Sequence, residues 1–389
     1  MLADHLRLSR VRESLRNLRI FRLDTGDRKQ QDKILEGLLQ LMPNVTSLYL
    51  RWTSETMRSI LSKPGKTFTS LALGFGYKNW SCFDQILRRN AESLQELDAY
   101  LPTELPMTAV SNLTKLRHFA TRGLRVLIED SDLERLVLRN PDLESLHLEN
   151  VGSLTPKSMA RIKSVRKLRN LSLYECRNLI GNAFYDLGSL SKLQHLDVKE
   201  SNLDIREIQS LARLTDLRSL ILDIEVDSQS FCLICDSLKR LEVLSLSQCS
   251  KLTDGDAAKV RLLPYLSHLL MSSCYRLTDL TFEKGLGRPA MKKLSVVASS
   301  MTNAGLLSLA NHHNRLRHVE ISSSESITVA GAYDFMRREP YLETIHMNVL
   351  HKVAPAFAAE EHEVFHGCPR LYLINGCAVR VKSESRLSR

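Results

Sequence analysis

Apolar residues recur along this chain in the string Leu-x-x-Leu-x-Leu. It reads LESLHL from Leu143, LRNLSL from Leu168, LQHLDV from Leu193, LRSLIL from Leu217, LEVLSL from Leu241 and LSHLLM from Leu266. Weaker copies extend both ways. The leading apolar positions are Leu18, Val45, Phe68, Leu94, Leu116, Leu143, Leu168, Leu193, Leu217, Leu241, Leu266, Met291, Leu316, Leu342 and Leu371, spaced 22 to 29 residues apart. Within each copy, apolar and polar residues alternate with a period of two. That predicts a short strand whose apolar side chains point inward and whose intervening residues point out. One such unit cannot bury its own apolar face, so the copies must stack.

Each unit then needs a return path to start the next strand. Thr253-Asp254 and Thr278-Asp279 sit where a helix N-cap belongs, and Pro43, Pro141, Pro264, Pro289, Pro340 and Pro369 fall two residues before a leading position. Proline cannot continue a helix, so these prolines mark the turn from helix to strand. The slots six and nine residues before each leading position are mostly apolar and share one helix face. Together these patterns predict an α/β leucine-rich repeat solenoid, a curved horseshoe with parallel strands on the concave face and helices on the convex face. The expected organisation is residues 1–17 as an amino-terminal cap or truncated linker, 18–379 as an array of about fifteen units, and 380–389 as a basic, disordered tail.

Composition narrows the class. Hydrophobic residues make up 43% and charged residues 25%, which supports a packed core rather than disorder. Lys+Arg exceed Asp+Glu by 54 to 44, for a net charge of +10. Scattered over a solvated surface, that excess does not call for nucleic acid as a partner. The first residues, MLADHLRLSRVRESLRNLR, contain no apolar signal-peptide core, and no apolar run is long enough to span a membrane. Eight cysteines in 389 residues are too sparse for a disulfide scaffold. A reducing compartment, cytoplasmic or nuclear, is expected.

Eight residues after the leading position sits a small residue able to hydrogen-bond: Cys176, Cys249 and Cys274 in three units, and Ser201, Ser299, Ser324 or Thr53 in others. With the strings SQCSKLTDGDAAKV and SSCYRLTDLTF, this resembles the cysteine-containing leucine-rich repeats of the F-box/leucine-rich-repeat proteins, over nearly the whole chain. The resemblance implies a substrate-recognition subunit of a cullin-RING (SCF-type) ubiquitin ligase, in which an amino-terminal F-box docks the Skp adaptor. An F-box is a three-helix unit, longer than the seventeen residues before Leu18, and no such segment is found. Skp adaptor and cullin are therefore expected partners only if an F-box exists upstream. The alternative is a repeat scaffold or adaptor with no ligase link.

Four stretches look catalytic. Cys232-Leu-Ile-Cys235 spells a redox or zinc motif, but the helix frame puts both cysteines in core slots. Cys176, Cys249 and Cys274 form a row with no partnering base. Gly65-Lys66-Thr67 ends a P-loop spelling, but Ile60 stands where its first glycine belongs. His362-Glu363-Val364-Phe365-His366 spells the H-E-x-x-H zinc motif. The frame turns His362 and Phe365 inward and His366 toward solvent, whereas a zinc hydrolase needs both histidines on one open cavity. No catalytic residue, metal or cofactor is expected, and the chain reads as a binding module.

Such arrays bind through the exposed strand positions. Those richest in aromatic and charged types are Tyr49, Arg51, Tyr100, His118, Arg122, His147, Glu149, Tyr174, His195, Asp197 and Lys199. They are the candidate contacts for a protein partner. Later units are plainer there, with Ser245, Ser247, Ser272, Ser295, Val297 and Ser322.

Overall fold

The computed structural model describes residues 19–23, 39, 41–53, 67–75, 81–100, 107–123, 127–185, 187–201, 203–284, 291–312, 315–322, 326–347, 372–374 and 377–379. The H-E-x-x-H stretch at 362–366, the segment 1–17 and the tail 380–389 lie outside them, as do Gly65, Lys66 and Ser324. The chain divides into two compact units, Met1–Phe184 with Val198–Asn202, and Tyr185–Asp197 with Leu203–Arg389.

In the first unit each leading position is followed by a strand: β1 (Ile20–Leu23), β2 (Ser47–Thr53), β3 (Ser70–Phe75), β4 (Glu96–Tyr100), β5 (His118–Arg122), β6 (Ser145–Leu148) and β7 (Asn170–Ser172). They pair in chain order and all in parallel. The second unit continues the rule with β8 (His195–Asp197), β9 (Ser219–Glu225), β10 (Val243–Gln248), β11 (His268–Met271), β12 (Lys293–Val297), β13 (His318–Ser322), β14 (Thr344–Met347) and β15 (Tyr372–Ile374). These too are parallel and in chain order. One strand breaks the pattern. β16 (Cys377–Val379) pairs antiparallel with β15. Parallel strands in chain order, joined by helical or turn returns, define a leucine-rich repeat solenoid.

The register shows why the strands form. Leu97, Phe119, Leu146 and Leu171 are paired neighbours on β4 to β7, and each is at most 1% exposed. Burying one such side chain contributes about 1.5–3 kcal/mol, so shifting a strand by one residue would expose its whole apolar set.

The returns are less uniform than the strands. Helices Ser81–Arg89, Asp130–Arg139, Pro156–Ile162, Ser228–Ser237, Asn303–His312 and Val329–Arg338 fill some of them. The return after β7 has only the short 3-10 turn Leu187–Ser189 in its described part. Thr155, Asp227, Thr253 and Thr328 cap helix starts, and Pro156 follows Thr155 directly. A second bond then ties successive caps. Asp254 accepts from the Thr278 backbone N–H at 2.8 Å and its hydroxyl at 2.7 Å. Asp279 does the same for Thr302, at 2.8 and 2.7 Å. In the first unit Asp130 accepts from the Thr155 N–H at 2.8 Å and its hydroxyl at 2.5 Å.

The slot six before the leading residue is buried as expected at Val110, Val137, Ile162, Leu187, Leu211, Cys235, Val260 and Met336. The slot nine before fails at Cys232, which is only half-buried, its thiol 3.3 Å from an Asp236 carboxylate oxygen. Helix Ser228–Ser237 buries Phe231, Ile234 and Cys235, followed by Leu238 just past its end. That is the i, i+3, i+4, i+7 face, and it turns Cys232 off the core.

The row of small residues after the strands faces inward. Just before it, Asn150, Glu175, Glu200, Ser273 and Ala298 take left-handed backbone with φ of 54–59°. This reversal swings the next side chain under the sheet edge. Cys176, Cys249 and Cys274 are all 0% exposed. The Cys176 thiol donates to the Leu148 carbonyl of the preceding rung at 3.5 Å, and the Ser201 hydroxyl donates to the Leu173 carbonyl. Burial pushes the thiols of Cys176 and Cys235 up to about 12, so both stay protonated and unreactive.

Candidate protein-interaction face

On the exposed side of the first unit, strands β2 to β6 surround a depression of about 250 Å³. Its walls are Tyr49, Ser70, Glu96, Asp98, His118 and Ser145, and Ala72 and Ala120 also line it. The strand backbone at Leu71, Leu97 and Phe119 forms its floor, since those side chains are 1% exposed and point into the core on the other face. The shape follows from register. Ala72 and Ala120 flank Asp98 on the neighbouring strands, so the row passes from small to acidic to small.

Hydrogen bonds fix the acidic wall. The Ser70 hydroxyl donates to Glu96 Oε2 at 2.6 Å, and the Tyr49 hydroxyl lies 3.5 Å from the same oxygen. Tyr49 and Ser70 are themselves 3.1 Å apart. Arg122 Nε stands 3.4 Å from Asp98 Oδ2, a pair open to solvent that contributes at most about 1 kcal/mol. Burial of Asp98 outweighs that arginine, and its carboxyl titrates above its ordinary range.

Beyond the depression, His147 is half-buried on β6. Burial, with Arg122 nearby, lowers its imidazole to about 4, so it is neutral at pH 7. Its Nε2 lies 3.7 Å from Glu149 Oε2, too far for a hydrogen bond, and no ion pair forms with a neutral ring. Burial raises the Glu149 carboxyl. Tyr174 is hydrogen-bonded to Glu175 and lies 3.4 Å from Glu200 Oε1, which pushes its phenol up to about 12. Arg177 pairs with Glu200 at 2.7 Å.

The structure therefore brings Tyr49 and His118 together in the depression, with Arg122 at its edge through Asp98. Tyr100 is exposed at the end of β4, and Lys199 is half-buried in the same unit. His195 and Asp197 belong to the second unit. The side chain of Arg51 lies outside the described residues. Two residues that line the depression, Glu96 and Asp98, escaped the sequence reading, which weighted aromatics and bases. The available signal was the pair of alanines bracketing Asp98 once the units are aligned in rows.

Elsewhere on the surface, charges pair between rungs: Arg117 with Glu144, Lys167 with Asp142, Arg240 with Asp216 and Arg317 with Glu343, at 2.6–3.0 Å. Among the described residues, no group of three or more His, Cys, Asp or Glu is arranged to hold a metal, and no helix is long and apolar enough to cross a membrane.

No protein-family model matches the chain, and no curated protein matches it. Solved structures do resemble it. One is an internalin from Listeria monocytogenes, 17% identical, with a TM-score of 0.48 and coverage of 92% of each chain. Another comes from the complex of Rad7 and Elc1 in yeast, 14% identical, with a TM-score of 0.46, covering 90% of this chain and 94% of that one.

Proposed function

We propose that the chain is a non-enzymatic recognition protein whose first unit docks a protein partner on its exposed sheet face. The observation that carries this reading is the depression between β2 and β6. It sets convergent polar groups around a floor of strand backbone, with Tyr49 in its wall and Arg122 at its edge through Asp98. Aromatic and arginine side chains of this kind dominate binding energy at interfaces. Tyr100, His147, Glu149, Tyr174, Lys199 and Arg51 extend the set of candidate contacts in this unit, and His195 and Asp197 are candidate contacts of the second unit by itself.

The finer reading follows from the cysteine-containing repeat subtype. The face captures the substrate of an SCF-type ubiquitin ligase, with attachment through an F-box segment and the Skp adaptor. Co-purification of the full-length gene product from cells tests it. Recovery of adaptor and cullin is expected. Recovery of a partner that depends on Tyr49 and Arg122, with neither adaptor nor cullin, would leave a repeat scaffold without a ligase link. Metal analysis of the same preparation checks the H-E-x-x-H stretch, and stoichiometric zinc would contradict a purely binding role.

A further inference from the structure

The depression on the first unit has a charge and a shape that together restrict what enters it. Glu96 and Asp98 are two residues apart on β4 and face the same side, so their carboxylates are separated by about 7 Å along the strand. Glu96 Oε2 is held by hydroxyl donors, and among the described residues Glu96 has no cation within ion-pair distance. Asp98 has one cation, Arg122, at 3.4 Å on a single oxygen. The wall therefore carries two carboxylates against one loosely placed guanidinium. Its floor is strand backbone flanked by Ala72 and Ala120, and Tyr49 also lines it.

From this we infer that the depression takes an arginine side chain of the docked partner. The inference rests on the reading of this face as the docking surface. An ammonium is a compact point charge and would satisfy one carboxylate at a time. A guanidinium presents five N–H donors in a planar fork, which spreads across two acceptors. Its weakly hydrated faces lie against an aromatic ring, as Tyr49 provides, and its methylenes lie against the methyl groups of Ala72 and Ala120. Ala72 and Ala120 leave the width that this side chain needs on either side of Asp98.

The test uses short random peptides displayed on phage and panned against the full chain. Three variants serve as counter-targets: Ala72→Trp, which fills the depression from the exposed face, and Glu96→Gln and Asp98→Asn, which keep its shape and remove its charge. Circular dichroism confirms that each is folded. The expected result is a set of peptides sharing one arginine. Ala72→Trp blocks them, Glu96→Gln/Asp98→Asn weakens them roughly ten-fold or more, and an Arg→Lys peptide is weakened similarly. Peptides that Ala72→Trp blocks but that lack arginine, or ignore the charge variants, would overturn the inference and leave the docking face standing. Peptides indifferent to all three variants, or no enrichment at all, would count against the docking face itself.

Discussion

Where the return path turns back toward the strand, the first unit buries Asn90 and Asn140 and the second buries Glu339. Asn140 accepts from the Leu116 N–H at 2.8 Å and donates to the carbonyls of Leu113 and Leu136, both at 2.9 Å. Asn90 accepts from the Phe68 N–H and donates to the Ile86 carbonyl. Glu339, 1% exposed, has no partner for either carboxylate oxygen. Both solutions follow the same repeat, but one amide knits two rungs together while one acid is stranded. A buried polar group stabilises only when its bonds are made, and costs free energy when they are not.

Opposite signs on removal test this comparison. Asn140→Ala strands the Leu116 N–H and the Leu113 carbonyl, and a loss of about 3 kcal/mol is expected. Amide hydrogen exchange is the better measurement, since repeat arrays need not unfold as one unit. The Leu116 amide should lose protection first. Retained protection at Leu116 would show that the amide bridge is not what joins these rungs.

Glu339→Leu should do the reverse. Leucine stands three residues before the leading position at Leu190, Leu214, Leu238 and Leu263, all at most 1% exposed. Burial raises the Glu339 carboxyl from 4.5 to about 8. The folded chain therefore keeps a proton that the unfolded chain loses above pH 4.5, and stability falls as pH rises from there to about 8. The variant should gain about 2 kcal/mol at pH 8 and much less at pH 5. Thermal unfolding at the two pH values reads the difference. A gain independent of pH would mean that better packing, not the charge, explains it.

Glycine marks two of the second unit's ties between caps, while the Asp254–Thr278 tie has Thr281 at the same place. Three residues past Thr155 the first unit carries Ser158. The second carries Gly305 past Thr302 and Gly331 past Thr328. A Cβ on Gly305 would fall on an Asp279 carboxylate oxygen and 3.1 Å from the Asp279 Cα. Helix propensity favours alanine over glycine by about 1 kcal/mol. Gly305→Ala should nonetheless destabilise by about 1 kcal/mol, by displacing Asp279 from Thr302. A gain in urea midpoint would show that Asp279 moves aside freely.

The strands were legible because burial leaves no choice. Alternating apolar positions must face one side, so each of the fifteen leading residues is followed by a strand. The returns were legible only in part. Many sequences can carry a chain back across the surface, and a one-residue change of helix phase suffices to turn Cys232 outward. β16 gave no warning, since its antiparallel pairing does not follow the repeat period. The depression depends on what is missing. Ala72 and Ala120 contribute space, and a reading that searches for reactive or aromatic side chains passes over small ones.

The smallest difference lies at the strand exits. In the first unit the left-handed residue after β6 is Asn150, a type whose short polar side chain tolerates φ of 57°. In the second unit Ala298 holds φ of 59° after β12. Alanine there has its Cβ crowded against the backbone, at a cost of about 1–2 kcal/mol. Glycine removes that strain but adds about 0.5–1 kcal/mol of unfolded-state entropy to be lost on folding. Ala298→Gly should therefore raise stability by about 0.5 kcal/mol, and Asn150→Ala should lower it by a similar amount. Urea midpoints of the two variants measure both. If Ala298→Gly lowers stability instead, the Ala298 Cβ contributes packing that outweighs its backbone strain, and the exits of the two units are held by different forces.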